Sequence, residues 1–401
     1  MSDIIKLPAY VKKIMTDLES KGFEVFAVGG CVRDCLLGKI PDDWDLCTSA
    51  KPDEMIEALS AYKIIPTGLS HGTIAVKSDE NFVEITTYRS DGEYYDCRHP
   101  KNVKFVRSIE EDLKRRDFTI NAFAYNAQKN IIDLFEGKTD LENKIIRCVG
   151  DPFKRFNEDA LRIMRAIRFA AVLDFEIESS TEKALSECIN LLSEISTERI
   201  LSELKKIILS KNPHKIIHKY KKIFEYILKT NLFEEDIFMT SQLPQDLPMR
   251  FAALLYSVES DLVDKTLHSL KFDKTSCKEI RMYLSLKNEY PYLNKSDCKR
   301  FLNRCGEGMV NKCIEFLTAS DKNNSYEWQQ VRKYVNNIIA KNECYSIASL
   351  DISGADIKKL GYTGKEIGYI LNILLNAVID EKVLNVKGRL IKYLNRIKFV
   401  K

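Results

Sequence analysis

FAVGGCVRDCLLGKIPDDWDLCT, Phe26–Thr48, decides how this chain folds. The apolar run Val25–Val28 predicts a short strand, closed by Gly29–Gly30. Asp34–Leu37 reads as the first turns of a helix, and Trp44–Leu46 as part of a second strand. Residues two apart in a strand face the same side. Asp43 and Asp45 therefore present two carboxylates together, while Trp44 turns to the other face.

Two like charges this close repel, and one carboxyl is driven up in pKa. A divalent cation removes the penalty, and hard oxygen donors suit magnesium. Two such ions ~3.5–4 Å apart can activate a hydroxyl and hold a leaving phosphate. The glycine turn fits the same chemistry, because a strand–Gly-Gly–helix bend lets backbone N–H groups approach a phosphate. Arg33, one turn into the helix, reaches toward the same place. Glu84, in a predicted neighbouring strand, is the candidate third carboxylate; the alternative is an exposed strand residue.

Around this segment, residues 21–150 alternate short strands and helices. Thr73–Val76 and Phe82–Thr87 are β-rich and separated by a polar turn at Asp79–Asn81, which predicts a hairpin. After Pro152 glycine vanishes until Gly306 and apolar residues fall at helical spacing, as in Ile200, Leu201, Leu204, Ile207 and Ile208. Breaks are expected near Asn212–Pro213, Leu243–Pro248 and Tyr290–Pro291. The expected class is α+β, a mixed-sheet head followed by all-α segments. The boundaries expected are 1–148 for the head, 149–210 for a helical neck, 211–300 for a body and 301–401 for a tail.

A chain of 401 residues is long enough for two to four domains. No apolar run is long enough to span a membrane, and Met1–Val11 lacks the apolar core of a secretory signal. The 11 cysteines are scattered without CxxC pairs, so reduced thiols and a cytoplasmic setting are expected. The net charge of +4 permits an RNA partner without demanding one.

Glu158–Ala171, drawn as one helix, sets Asp159, Arg162, Arg165 and Arg168 over half the circumference and Ile163, Met164, Ile167 and Ala171 opposite. Asp159 and Arg162, three apart, would be surface neighbours. Cytosine and adenine share an exocyclic amine beside a ring-nitrogen acceptor. A carboxylate and a guanidinium match that edge, whereas the carbonyls of uracil and guanine would face the carboxylate. Lys205, Lys206, Lys211, Lys215, Lys219, Lys221 and Lys222, with Tyr220 among them, form a basic stretch suited to an RNA backbone, and Lys387, Arg389, Lys392, Arg396, Lys398 and Lys401 a second. A solvated helix face is the plain alternative for both.

VGGCVRDCLLG with DDWD resembles the first motif of the DNA-polymerase-beta-like nucleotidyltransferases. The run of further segments resembles the class II CCA-adding enzymes, the tRNA nucleotidyltransferases. These are TGLSHGTIAV, RSDGEYYDCRHPKNVKFV, EEDLKRRDFTINAFAY, DLFEGKTDLENKIIRCVGDP, RFNEDALRIMRAIRFA and TERILSELKKIILS, over about residues 20–210. SGADIKKLGYTGKEIGYILN resembles the family more loosely. The resemblance implies CCA addition to tRNA from CTP and ATP with two Mg2+ ions. It implies metal binding at Asp43 and Asp45. Nucleotide contacts are implied at Gly29, Gly30, Arg33, Arg116, Asp159, Arg162, Arg165 and Arg168. It also implies a flexible loop carrying Asp96 and Arg98, which assists the switch from C to A. Trp44 is larger than the residue usual between the two acids. No His–Asp pair of the phosphohydrolase kind stands in the C-terminal half, so no phosphatase activity is expected, nor DNA or membrane as a partner. A bacterial-type poly(A) polymerase and an enzyme adding only the terminal A remain alternatives, and an RNA-binding protein that has lost catalysis is the alternative from a different class, which the intact acids, glycine turn and Arg33 disfavour.

Overall fold

The computed structural model describes residues 5–91, 103–292 and 294–398, and these divide into two compact units. One comprises Met1–Asn231 with Asp264–Lys271, the other Leu232–Val263 with Phe272–Lys401. The expected flexible-loop residues Asp96 and Arg98 lie outside the described residues.

The first unit opens with helix α1 (Ala9–Ser20) and strand β1 (Val25–Val28), then helix α2 (Gly30–Leu36) and strand β2 (Asp45–Thr48). Helix α3 (Pro52–Ala58), strands β3 (Lys63–Gly68), β4 (Thr73–Ser78) and β5 (Asn81–Thr87), and the small pair β6 (Arg89–Asp91) and β7 (Val103–Phe105) follow. Helix α4 (Ile109–Lys114), strands β8 (Phe123–Asn126) and β9 (Asn130–Asp133), and helix α5 (Gly137–Glu142) complete the sheet region. The main sheet runs β3-β4-β5-β2-β1-β8-β9. It is mixed, because β2 and β5 pair parallel while its other neighbours pair antiparallel. Strands β1 and β8 are buried at every position; VFAV is apolar throughout, and the polar residue of FAYN, Asn126, is satisfied by donating to Glu19 and to the Val25 carbonyl. One face packs Phe26, Val28, Cys47 and Ala124 against Tyr88, Val106, Ile109 and Leu113. The hairpin expected around Asp79–Asn81 is present, with Ser78 paired to Asn81.

Beyond the sheet come α6 (Pro152–Glu158), α7 (Leu161–Leu173), α8 (Ser179–Glu187), α9 (Thr197–Ile208), α10 (Pro213–Lys219) and α11 (Lys221–Leu228). Between the sheet and α8, two short strands, Ile145–Ile146 and Glu176–Ile177, pair parallel and tie the ends of this region together. Pro213 opens α10, as the expected break there requires.

The second unit is helical. Three of its helices begin at side-chain caps: Asp246, Asp273 and Asn294 accept backbone N–H bonds from Met249, Ser276 and Asp297. Trp328, Tyr283, Phe251, Phe301 and Phe316 are among its large buried side chains. Near the C-terminus Ile357, Leu374, Leu390 and Leu394 anchor a separate apolar cluster. Among the described residues no helix is long and apolar enough to cross a membrane, and the ten described cysteines are free thiols.

Candidate functional site

Strand β2 begins at Asp45, so Asp43 and Trp44 precede it rather than sit within it as the sequence suggested. The alternation survives the shift. Asp43 and Asp45 are exposed, while Trp44 and Leu46 are buried. Trp44 thus fills the core behind the acids without disturbing their phase. The parallel register sets Glu84 of β5 directly beside Asp45, and its side chain is exposed. Asp45 keeps an open path to solvent although protein surrounds it on most sides. That desolvation, and then the charges of Asp43 and Glu84, push its carboxyl up to about 6 against the pull of Arg116.

Helix α2 starts four residues earlier than its sequence suggested, immediately after the glycine turn. Gly29 has φ +73°, and a Cβ there would meet Arg116 Nη1 at 2.9 Å. Only glycine accepts both conditions. Arg33 leaves α2 to donate through Nε and Nη2 to Asp34 Oδ1 at 2.9 and 2.8 Å, and through Nη1 to Asn121 Oδ1 at 2.7 Å.

Arg116 is buried. Its Nη2 donates to Asp112 Oδ2 at 3.1 Å, and Asp112 also holds Arg115 at 2.8 Å. Burial raises the Asp112 carboxyl, yet the two guanidiniums outweigh it and hold the acid below its usual range.

The helix expected over Glu158–Ala171 is broken. Asp159 is extended, at φ −144° and ψ 103°, between α6 and α7. Its Oδ1 accepts the Leu161 N–H at 3.0 Å, which starts α7, and its Oδ2 takes Arg199 of α9 at 3.1 Å. Asp159 and Arg162 are therefore not the neighbouring pair a continuous helix implies. Arg162 instead binds Glu158 at 2.8 Å and the carbonyls of Arg155 and Arg115. An Asp two residues ahead of an apolar helical run is a recognisable start signal, and the amphipathic pattern overrode it.

Arg165 donates to Asp117 Oδ2 at 2.8 Å through Nε. Burial raises the Asp117 carboxyl, but Arg165 and the Asn121 amide bring it down to about 2. Arg168 lies 3.0 Å from Glu203 of α9. Burial and then the charge of Arg165 lower its guanidinium to about 10. Arg33, Arg165 and Arg168 all stand over the Phe169 ring, at 5.3, 5.4 and 4.0 Å from its centroid. Two buried guanidinium atoms here, Arg116 Nε and Arg199 Nη1, have no hydrogen-bond acceptor, while Arg168 Nε meets Glu203 Oε2 as an ion pair out of hydrogen-bond alignment. Buried donors left in this state call for an acceptor that the protein itself does not supply.

The structure thus gathers Gly29, Gly30, Arg33 and Arg116 around one turn, and Asp159, Arg162, Arg165 and Arg168 along the α6–α7 junction. Asp112, Asp117, Asn121, Phe169, Arg199 and Glu203 were not singled out from sequence. Asp112 joins the site through Arg116, four residues on; the other five join through a partner remote in the chain, a signal that local spacing does not carry. Among the described residues no three His, Cys, Asp or Glu side chains are drawn together tightly enough to cage a metal by themselves. Magnesium binds through one or two carboxylates and completes its shell with water and phosphate oxygens, and the donor set at Asp43 and Asp45 fits that demand.

Comparison with known proteins meets this geometry. The sequence profile of the Poly A polymerase head domain matches residues 25–147. That of the probable RNA and SrmB-binding site of polymerase A matches residues 174–234. The CCA-adding enzyme of Streptococcus suis is 52% identical over 182 residues, 45% of this chain and 45% of that one. The CCA-adding enzyme of Pediococcus pentosaceus is 50% identical over 184 residues, 46% of each chain. These matches span about half the length of the curated relatives. The crystal structure of the Bacillus stearothermophilus CCA-adding enzyme in complex with CTP superposes with a TM-score of 0.81 at 28% identity, over 99% of both chains. With the mixed-sheet head, the glycine turn and the paired acids in place, the chain is similar to CCA-adding enzymes, in sequence over about half of its length and in fold over nearly all of it.

Proposed function

We propose that this protein adds CCA to the 3′ end of tRNA without a template, from CTP and ATP, releasing pyrophosphate. The observation that carries the reading is the meeting of Asp43, Asp45 and Glu84 at the head of β2, where burial and then the neighbouring carboxylates push the Asp45 carboxyl up to about 6. Such a group gains most from a cation beside it. Bound magnesium, two ions in this reading, supplies Lewis-acid polarisation and charge neutralisation. Asp43 and Asp45 hold it, and Glu84 stands as the third carboxylate. Gly29 keeps the bend open for a triphosphate, Gly30 lets its backbone approach, and Arg33 and Arg116 face the phosphate charge. The tRNA 3′-hydroxyl attacks the α-phosphorus, its bond to the bridging oxygen breaks, and pyrophosphate departs.

Base selection falls to the α6–α7 junction. Asp159 uses one bond on each oxygen, and an ionised carboxylate has further lone pairs for the exocyclic amine of cytosine or adenine. Donation by Arg162 to the ring nitrogen requires it to turn from Glu158 as the nucleotide enters. Arg165 and Arg168 add positive charge along the same wall. Lys206, Lys211, Lys215 and Lys222 are exposed on α9–α11 and suit an RNA backbone; Lys219 is already paired with Glu176 and Glu182. The division of the chain into head, neck, body and tail, and a cytoplasmic setting, belong to the same proposal.

The test is incorporation into tRNAs ending before CCA, after C and after CC, with magnesium and with CTP and ATP singly and together. Completion of CCA on all three is expected. Extension of the CC end alone would mark an A-adding enzyme, and long A tracts a poly(A) polymerase.

A further inference from the structure

Arg33 and Arg165 come to the site from different segments, and one amide stands between them. Asn121 Oδ1 accepts Arg33 Nη1 at 2.7 Å. Its Nδ2 donates to Asp117 Oδ1 at 3.2 Å. Asp117 Oδ2 in turn accepts Arg165 Nε at 2.8 Å. The line therefore runs unbroken from α2, through the segment before β8, to α7. Asn121 and Asp117 are 6% and 9% exposed, so water cannot readily stand in for either bond.

Chemistry fixes the amide one way round. A guanidinium only donates and an ionised carboxylate only accepts. Turning the amide over would set NH2 against guanidinium and oxygen against carboxylate, and both bonds would be lost. An Asp at this position would face Asp117 with a second negative charge. A Leu would fill the volume and join neither neighbour. Asp117 is also held by the Phe118 N–H at 2.8 Å, and Phe118 packs edge-on against Phe169 at 5.7 Å. Phe169 lies beneath both arginines. A shift of either guanidinium is thus felt by the same ring and the same amide.

We propose that Asn121 is a positioning residue that couples the triphosphate grip of Arg33 to the base-selecting helix α7, through Asp117 and Arg165. The inference rests on the nucleotide-site reading given above. Neither Asn121 nor Asp117 touches the nucleotide in this account. Their task is to make the two ends of the nucleotide pocket settle together.

Coupling carried by such a line must appear as non-additivity. The experiment measures the Kd for ATP with magnesium by titration calorimetry, and the KM and kcat for ATP on tRNA ending in CC. Arg33→Gln, Arg165→Gln and the double variant are compared in the native and Asn121→Leu backgrounds. In the native background the double variant should weaken ATP binding less than the product of the single effects, by about tenfold. In the Asn121→Leu background the effects should multiply. Asn121→Leu alone should raise KM for ATP about tenfold and leave kcat within about threefold. If the Leu variant does not fold, as its thermal melt would show, Asn121→Ser takes its place, because a hydroxyl is too short to join both neighbours. Multiplicative effects in the native background, or coupling that survives the loss of the amide, would overturn the relay while leaving the nucleotide site intact. A native protein that binds no ATP would instead overturn the nucleotide-site reading, and the relay with it.

Discussion

At the head of β2, Asp43, Asp45 and Glu84 crowd together, and Arg116 is the cation that draws on Asp45 against them. Around α7 the same kinds of charge are arranged otherwise. Asp112, Asp117, Glu158, Asp159 and Glu203 each have a guanidinium within 3.1 Å. The first region keeps an excess of negative charge, while in the second every one of these acids is matched by at least one guanidinium. Marginal stability leaves little room for unrelieved repulsion, so repulsion kept at one spot marks where the chain gives up stability for a ligand. The paired lattice does the opposite work and ties α7 and the α6–α7 junction to α9. What separates the reactive region from the framework is the balance of charge, not its density.

Asp45→Asn is the sharpest way to break that contrast. The amide keeps the shape and removes the charge, so incorporation of CTP or ATP should fall by about a thousandfold or more, with tRNA binding in a filter assay unchanged. Without magnesium, the variant should also melt at a higher temperature than the native protein, because like-charge repulsion has been removed. Normal turnover, or a lower melting temperature, would show that Asp45 belongs to the framework after all.

Asp117 tests the other side. Its carboxyl sits at about 2 when folded, against about 3.9 for an unperturbed aspartate. A depressed folded pKa adds stability that is present above the unfolded value and lost as pH falls toward the folded one. The contribution is on the order of 2 kcal/mol, disappearing between about pH 4 and pH 2. Urea denaturation followed across that range should show the native protein losing stability more steeply than Asp117→Asn. At neutral pH the variant should be weaker, since Arg165 loses its counter-charge. Parallel acid limbs for the two proteins would mean that Asp117 and Arg165 contribute no net charge stabilisation.

The two regions also differed in how far the sequence disclosed them. The acids at 43 and 45, the glycine turn and the β4–β5 hairpin follow from patterns a few residues long, and they stand where those patterns put them. Glu84 could be placed in a neighbouring strand, though its seat beside Asp45 depends on a parallel pairing that no local pattern fixes. The charge lattice was nearly silent. Asp159 pairs with Arg199, Arg168 with Glu203 and Arg33 with Asn121, across separations of 40, 35 and 88 residues. A helical wheel drawn through Glu158–Ala171 treated four polar residues as a free face, when the break at Asp159 and these distant partners had already claimed them. Periodicity reports which side of an element is buried, but not which charge will meet it.

Gly29 and Gly30 carry the smallest expected effect and separate framework from function within two residues. Gly29→Ala forces a Cβ into the φ +73° region and within 2.9 Å of Arg116 Nη1. The guanidinium end can yield, but the backbone strain remains, and about 1–2 kcal/mol should be lost in urea denaturation. Gly30 begins α2, and a Cβ there would meet Arg33 Nη2 at 3.6 Å, an ordinary contact. Gly30→Ala should therefore hold or slightly raise stability, since alanine suits a helix better. Its added methyl group would still stand where the backbone approaches a triphosphate, so the KM for ATP should rise several-fold while the protein stays intact. If Gly30→Ala instead weakens the fold and spares KM, both glycines serve the turn alone, and phosphate affinity must come from the arginines around Phe169.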